Sequence, residues 1–186
     1  MSNNGFSTSN LIAREDSVLV VIDVQEKLMP VIIEKEKVTD NVVRLLKFAQ
    51  IISLPLVLTE QEKLGNTVPV VFEAAHHLSP IRKLDFNCFG CQEFVDQVRR
   101  FRRKTLILAG VESHICVAQT ALAAVPDYAV HVVMDATSSR NRDNWKVALK
   151  RMRQAGVVIT STEMVIYELL RRAGTDEFRA ALPLVK

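Results

Sequence analysis

Apolar and polar positions along the chain switch repeatedly between two patterns. Ser17 to Val24 is a nearly unbroken apolar run interrupted at its end by Asp23, as in a strand buried on both faces of a helix-covered parallel sheet. Pro55 to Glu60 repeats this pattern, opened by the proline and closed by polar residues. Ile81–Lys83 reads as a short third strand, Thr105–Ala109 as a buried central one, Tyr128–Met134 as a fifth and Val157–Thr160 as a last short one. Between them the period lengthens. Val38, Val42, Leu45, Leu46, Ala49 and Ile52 form one stripe of a helix over Lys37–Leu54. Further helices are predicted over Gln92–Arg103, from Ser113 to about Val125, over Asp143–Gln154 and over Glu163–Arg172. The stretch through Gly65, Asn66 and Pro69 reads as loop.

Strand and helix alternate through almost the whole chain. This predicts an α/β fold, a single three-layer α/β/α domain over 13–186 around a mainly parallel sheet of about six strands. Residues 1–12 read as a loose polar tail without the layout of a signal peptide. The length suits one domain, and 48% hydrophobic with 24% charged residues is ordinary for a globular chain. A net charge of +3 is too small to imply a polyanionic partner, so no nucleic acid is expected. No apolar run approaches the ~18 residues of a bilayer span, so no membrane is expected either. Three cysteines, an odd number, argue for a reducing compartment and a cytoplasmic location.

Asp23, Glu60, Lys83 and the turn from Gly110 to Cys116 all fall at the C-terminal ends of predicted strands, the edge where open α/β sheets bind ligands. Cys116 lies in or near the first turn of a helix, where the unpaired N–H groups favour thiolate. A cysteine thiol still needs a base or a cation beside it to attack at neutral pH. Asp23 can accept the proton, Lys83 can stabilise the thiolate, and the turn before Cys116 can offer N–H groups to an oxyanion. Each residue also has a plain alternative: Asp23 as a helix cap, Lys83 as a solvated surface group, Cys116 as core filler. Cys88 and Cys91 form one C-x-x-C pair, half of what a structural zinc needs. Arg99, Arg100, Arg102, Arg103 and Lys104 read as a solvated cluster capping a helix C-terminus. His114 is a further pocket candidate and an alternative base.

Four segments together resemble the isochorismatase-like cysteine hydrolases, a family that includes nicotinamidases and N-carbamoylsarcosine amidases. They are Val21–Gln25, Lys83–Phe89, Leu108–Val117 and the Asp135-Ala136-Thr137-Ser138-Ser139-Arg140 turn. The resemblance implies a catalytic triad of Asp23, Lys83 and Cys116 and a non-proline cis peptide between Val111 and Glu112, in the oxyanion turn. It implies a small-molecule substrate, an amide or related C–N compound cleaved through a thioester; Gln25, Gln61, Phe86, Phe89 and His114 are the candidate pocket residues. It also implies a homo-oligomer, and the apolar run Ala180–Val185 is expected to pack on its own domain or on a neighbouring subunit. The sequence departs from the nicotinamidases where they hold a metal: Thr59-Glu60-Gln61-Glu62-Lys63 offers no imidazole, and His76 and His77 come later as a surface loop. The reading is therefore of no cofactor and no metal, with hydrogen-bonding side chains in their place. The rival is a catalytically silent binding or scaffold member of the same fold.

Overall fold

The computed structural model describes residues 11–76 and 78–186. Among these residues six strands run β1 (Ser17–Ile22), β2 (Leu56–Gln61), β3 (Ile81–Lys83), β4 (Thr105–Val111), β5 (Ala129–Ser138) and β6 (Val158–Thr160). They form one sheet in the order β3-β2-β1-β4-β5-β6, and every neighbouring pair is parallel. The order reverses at β1, which lies between β2 and β4, so a crevice opens beyond its C-terminal end.

Every residue of β1 and β4 is buried, as their unbroken apolar runs require. Leu19 and Val21 face one layer, formed by α1 (Lys35–Ile51), α2 (Pro69–Ala74), α6 (Thr162–Leu170) and α7 (Asp176–Val185). Val18, Val20 and Ile22 face the other, formed by α3 (Gln92–Arg100), α4 (Ala118–Ala124) and α5 (Arg142–Gln154). The domain is thus three-layered, and its two cores meet only through the sheet.

Several elements differ from the sequence reading. The predicted loop at Pro69 is the short helix α2, opened by proline at its first turn, where a missing N–H costs nothing. β5 runs on to Ser138, four residues past its apolar stretch, because the polar Thr137 and Ser138 pair with Gly110 and Val111. Residues 1–10 of the predicted tail lie outside the described residues, whereas Ile12 is buried in the core, its N–H donating to Glu168 Oε2 at 2.9 Å. The apolar C-terminal run belongs to α7 and packs on its own domain, with Ala181 buried and Phe178, Leu184 and Val185 against the first core.

Candidate active site

Three strand ends bring the candidate residues together. Register pairs Ile22 with Thr59 and with Gly110, and Gln61 with Lys83, so Asp23, Gln61, Lys83 and the turn after β4 share one edge. A Cβ on Gly110 would stand 2.0 Å from the Ile22 carbonyl oxygen, and its φ of +112° suits glycine, so only glycine allows β4 to lie this close to β1. Asp23 itself is held at φ 53°, a left-handed conformation uncommon for a residue with a side chain and concentrated at functional sites.

Asp23 and Lys83 form an ion pair of 2.7 Å whose side chains have no solvent exposure. Thr59 Oγ1 donates to the other carboxylate oxygen at 2.8 Å, and Lys83 Nζ also donates to Gln61 Oε1 at 2.9 Å and to the Asp85 carbonyl at 3.3 Å. Every lone polar group of this buried pair therefore has a partner, as burial demands. Burial alone would lower the Lys83 pKa; the Asp23 carboxylate overrides it and holds the ammonium above the usual lysine value.

Cys116 lies in a π-helical turn, Ser113–Val117, that precedes α4; such turns are rare and frequent at functional sites. Its thiol is buried beside the Asp23 carboxylate, with Lys83 close enough to act on it. Burial first, and the Asp23 carboxylate second, push this thiol well above its usual pKa, against the pull of Lys83. The helix N-terminus thus does not produce the resting thiolate that sequence position suggested. The resting arrangement is a thiol facing a carboxylate, and the proton has a short path between them.

A cis peptide bond joins Val111 and Glu112. The Glu112 carboxylate, 2% exposed, accepts from the Arg140 backbone N–H at 2.9 Å and from its guanidinium Nε and Nη2, tying the ends of β4 and β5 together. Burial would raise this carboxyl, but Arg140 holds it below the usual range.

A cavity of about 370 Å³ opens onto Cys116. Gln61, Glu62, Glu112 and Arg140 border it, and Leu28, Leu64, Phe86 and Ile115 supply the apolar wall. Other sequence candidates fall elsewhere. Phe89 packs edge-on against Phe94 and beside Tyr128, away from the cavity. His114 Nδ1 pairs with Ser139 Oγ at 3.0 Å and does not border the cavity. Gln25 is fully buried behind it and pairs through its side-chain amide with the Gln61 backbone. Glu60, on the opposite face of β2 from Thr59 and Gln61, accepts from the Thr67 N–H and hydroxyl at 2.6 and 2.9 Å. Sequence reasoning named Phe86 but missed Arg140, Leu28, Leu64 and Ile115 as cavity residues; the Ser-Arg end of the β5 turn motif was the available signal for the first. It also missed Cys88, whose backbone N–H donates to Thr120 Oγ1 at 3.0 Å and whose buried thiol, near the ion pair, has its pKa pushed up to about 12 chiefly by burial.

Among the described residues no group of three or more His, Cys, Asp or Glu side chains could hold a metal ion, and His77 lies outside them. The basic cluster sits at the other end of β4: Lys104 precedes its first residue, and Cys116 follows its last. That separation is roughly 20 Å at the rise of a strand. No helix among the described residues is long and apolar enough to cross a membrane.

Comparison with known proteins supplies a context for this geometry. The isochorismatase domain profile matches residues 17–164. Mouse isochorismatase domain-containing protein 2A is 35% identical over 179 residues, covering 94% of this chain and 85% of that protein. Among solved structures, the MAR1 ribonuclease of Caenorhabditis elegans has a TM-score of 0.88 and 33% identity, over 94% of this chain and 92% of the other. The YcaC gene product of Escherichia coli, described as an octameric hydrolase of unknown specificity, has a TM-score of 0.86 and 29% identity over 94% and 92%.

Proposed function

The chain belongs to the isochorismatase family, whose members are generally hydrolases, and from that premise we propose that it is a cysteine-dependent hydrolase of a small amide or related C–N bond. The observation that carries this reading is the buried thiol of Cys116 beside a carboxylate that a buried ammonium holds in place.

The chemistry follows from that contact. As the sulfur forms a bond to the amide carbon, the thiol proton moves to Asp23, and the carbonyl π pair becomes an oxyanion. Backbone N–H groups at the Val111–Glu112 turn are the proposed oxyanion donors. Collapse breaks the C–N bond, and Asp23 returns the proton to the departing amine, leaving a thioester. Water then attacks with Asp23 as base, the C–S bond breaks, and the thiol regains its proton. Lys83 stays charged throughout and keeps the carboxylate oriented, as the fixed member of a triad does. The cationic cluster lies at the opposite edge of the sheet from Cys116, which speaks against carrying over a nucleic-acid substrate from the ribonuclease relative. By analogy with the octameric relative, the working form is proposed to be a homo-oligomer.

A turnover screen of small amides and carbamoyl compounds, with and without chelator, tests the reading. Cys116→Ala is expected to abolish turnover, and intact-mass measurement should show an acyl adduct on the parent protein alone. Undiminished turnover in the alanine variant would remove Cys116 from the mechanism. Absence of turnover with every compound, despite a reactive Cys116, would favour the silent binding member.

A further inference from the structure

The polar side chains that the sequence offered for holding a substrate are already engaged. Glu60 is bonded to Thr67. The Gln61 amide bridges Lys83 Nζ and the Leu84 carbonyl, at 2.9 and 2.7 Å, and the Gln25 amide is spent on the Gln61 backbone and the Gly65 carbonyl. What faces the Cys116 cavity instead is hydrocarbon: Leu28, Leu64, Phe86 and Ile115. Among the described residues one cation borders it, Arg140, already neutralised by Glu112, and Glu62 adds a further carboxylate there.

Resting on the cysteine-hydrolase reading, we propose that the acyl half of the substrate is a short, uncharged hydrocarbon group, seated against Leu28, Leu64, Phe86 and Ile115. Polarity is confined to the reacting carbonyl at the cavity floor. Burial of each added methylene then favours binding, whereas a terminal carboxylate would lose its hydration against an apolar wall with no unpaired cation among the described residues to meet it. The enzyme discriminates by hydrocarbon contact, and a carboxylate-bearing acyl group is its poor substrate.

Aldehydes test the pocket without requiring turnover. A thiol adds reversibly to an aldehyde: the S–C bond forms, and the carbonyl π pair takes up the thiol proton to give a hydroxyl. Propanal, butanal, pentanal and succinic semialdehyde are each tested for protecting Cys116 from iodoacetamide, read by peptide mass spectrometry on the full chain. The expected apparent affinity rises about fourfold per methylene through the alkyl series. Succinic semialdehyde is expected to bind at least about tenfold more weakly than pentanal. In Phe86→Ser, where the half-exposed ring is replaced without opening the core, the increment per methylene is expected to shrink. A flat series, including no protection by any aldehyde, or succinic semialdehyde protecting as well as pentanal, overturns the inference. Chain-length preference in aldehydes without turnover of any amide would support this pocket and sink the hydrolase reading. Amide turnover indifferent to chain length and charge would do the reverse.

Discussion

At Cys116 the proton begins on sulfur and not on the carboxylate, because burial and Asp23 together disfavour the thiolate. The pH dependence of catalysis should show this. A reaction that needed preformed thiolate would accelerate about tenfold per pH unit through neutrality, since the thiol stays above its ordinary value. Transfer to Asp23 during attack predicts instead that kcat/KM is flat from about pH 7 to about pH 9. Nor should Lys83 cause a decline below the ordinary lysine value of 10.5, because its folded-state pKa lies higher and it remains charged there. A pH–rate profile on any amide found to turn over checks both expectations. Asp23 and the turn of Cys116 stood out in the sequence because they follow apolar runs, whereas Lys83, at the end of Ile81-Arg82-Lys83, was picked out by the motif resemblance. The protonation state of the thiol could not, since it depends on a desolvation that only the packed turn creates. Phe89 and His114 were misplaced for a related reason: proximity in sequence to Lys83 or Cys116 says nothing about which way a ring turns once the turn is folded.

Among the elements, β1 and β2 end in an arrangement that no periodicity reveals. Beyond Ile22 the Gln25 side chain takes over from the backbone: its Nε2 donates to the Gln61 carbonyl at 2.9 Å and its Oε1 accepts the Gln61 N–H at 2.8 Å. An amide side chain thus continues the strand pairing, and the side chain of the residue it fixes holds Lys83. Gln25→Leu should keep the fold's volume while leaving the Gln61 backbone unpaired. A loosened Lys83 is expected to lower kcat by as much as about 100-fold, with a smaller change in KM. Gln25→Glu keeps one acceptor but loses both donors, so it should rescue little; steady-state kinetics on the pair would show whether the amide acts through orientation. The strands themselves were legible because a buried parallel strand must be apolar throughout. α2, the π-helical turn and the last residues of β5 were not, because hydrogen-bond partners elsewhere in the chain decide them.

Over the whole molecule, the two buried thiols link stability to pH. Both Cys88 and Cys116 have folded-state pKa values above the ordinary 9.0, Cys88 at about 12. Their contribution is fully present below that ordinary value, because both states then hold the proton. It is lost as pH rises from there toward the folded value, because the unfolded chain releases protons that the folded one retains. Each thiol should steepen the fall in unfolding free energy by about 1.4 kcal/mol per pH unit. Urea titrations between about pH 9 and about pH 10 should therefore give a shallower slope for Cys88→Ala than for the parent, whatever the offset between them. The position of β1 between β2 and β4 has one more consequence, in the order of events during synthesis. Asp23 leaves the ribosome first, Lys83 follows 60 residues later and Cys116 a further 33 on (83 − 23; 116 − 83). The slot beside β1 is filled by a strand from far along the chain, a slow kind of contact to make. Until it is filled, the nascent thiol has ordinary acidity and lies open to oxidants. Folding buries that sulfur and sets it beside Asp23 and Lys83, so for this chain assembly of the candidate site and shelter of its thiol are the same step.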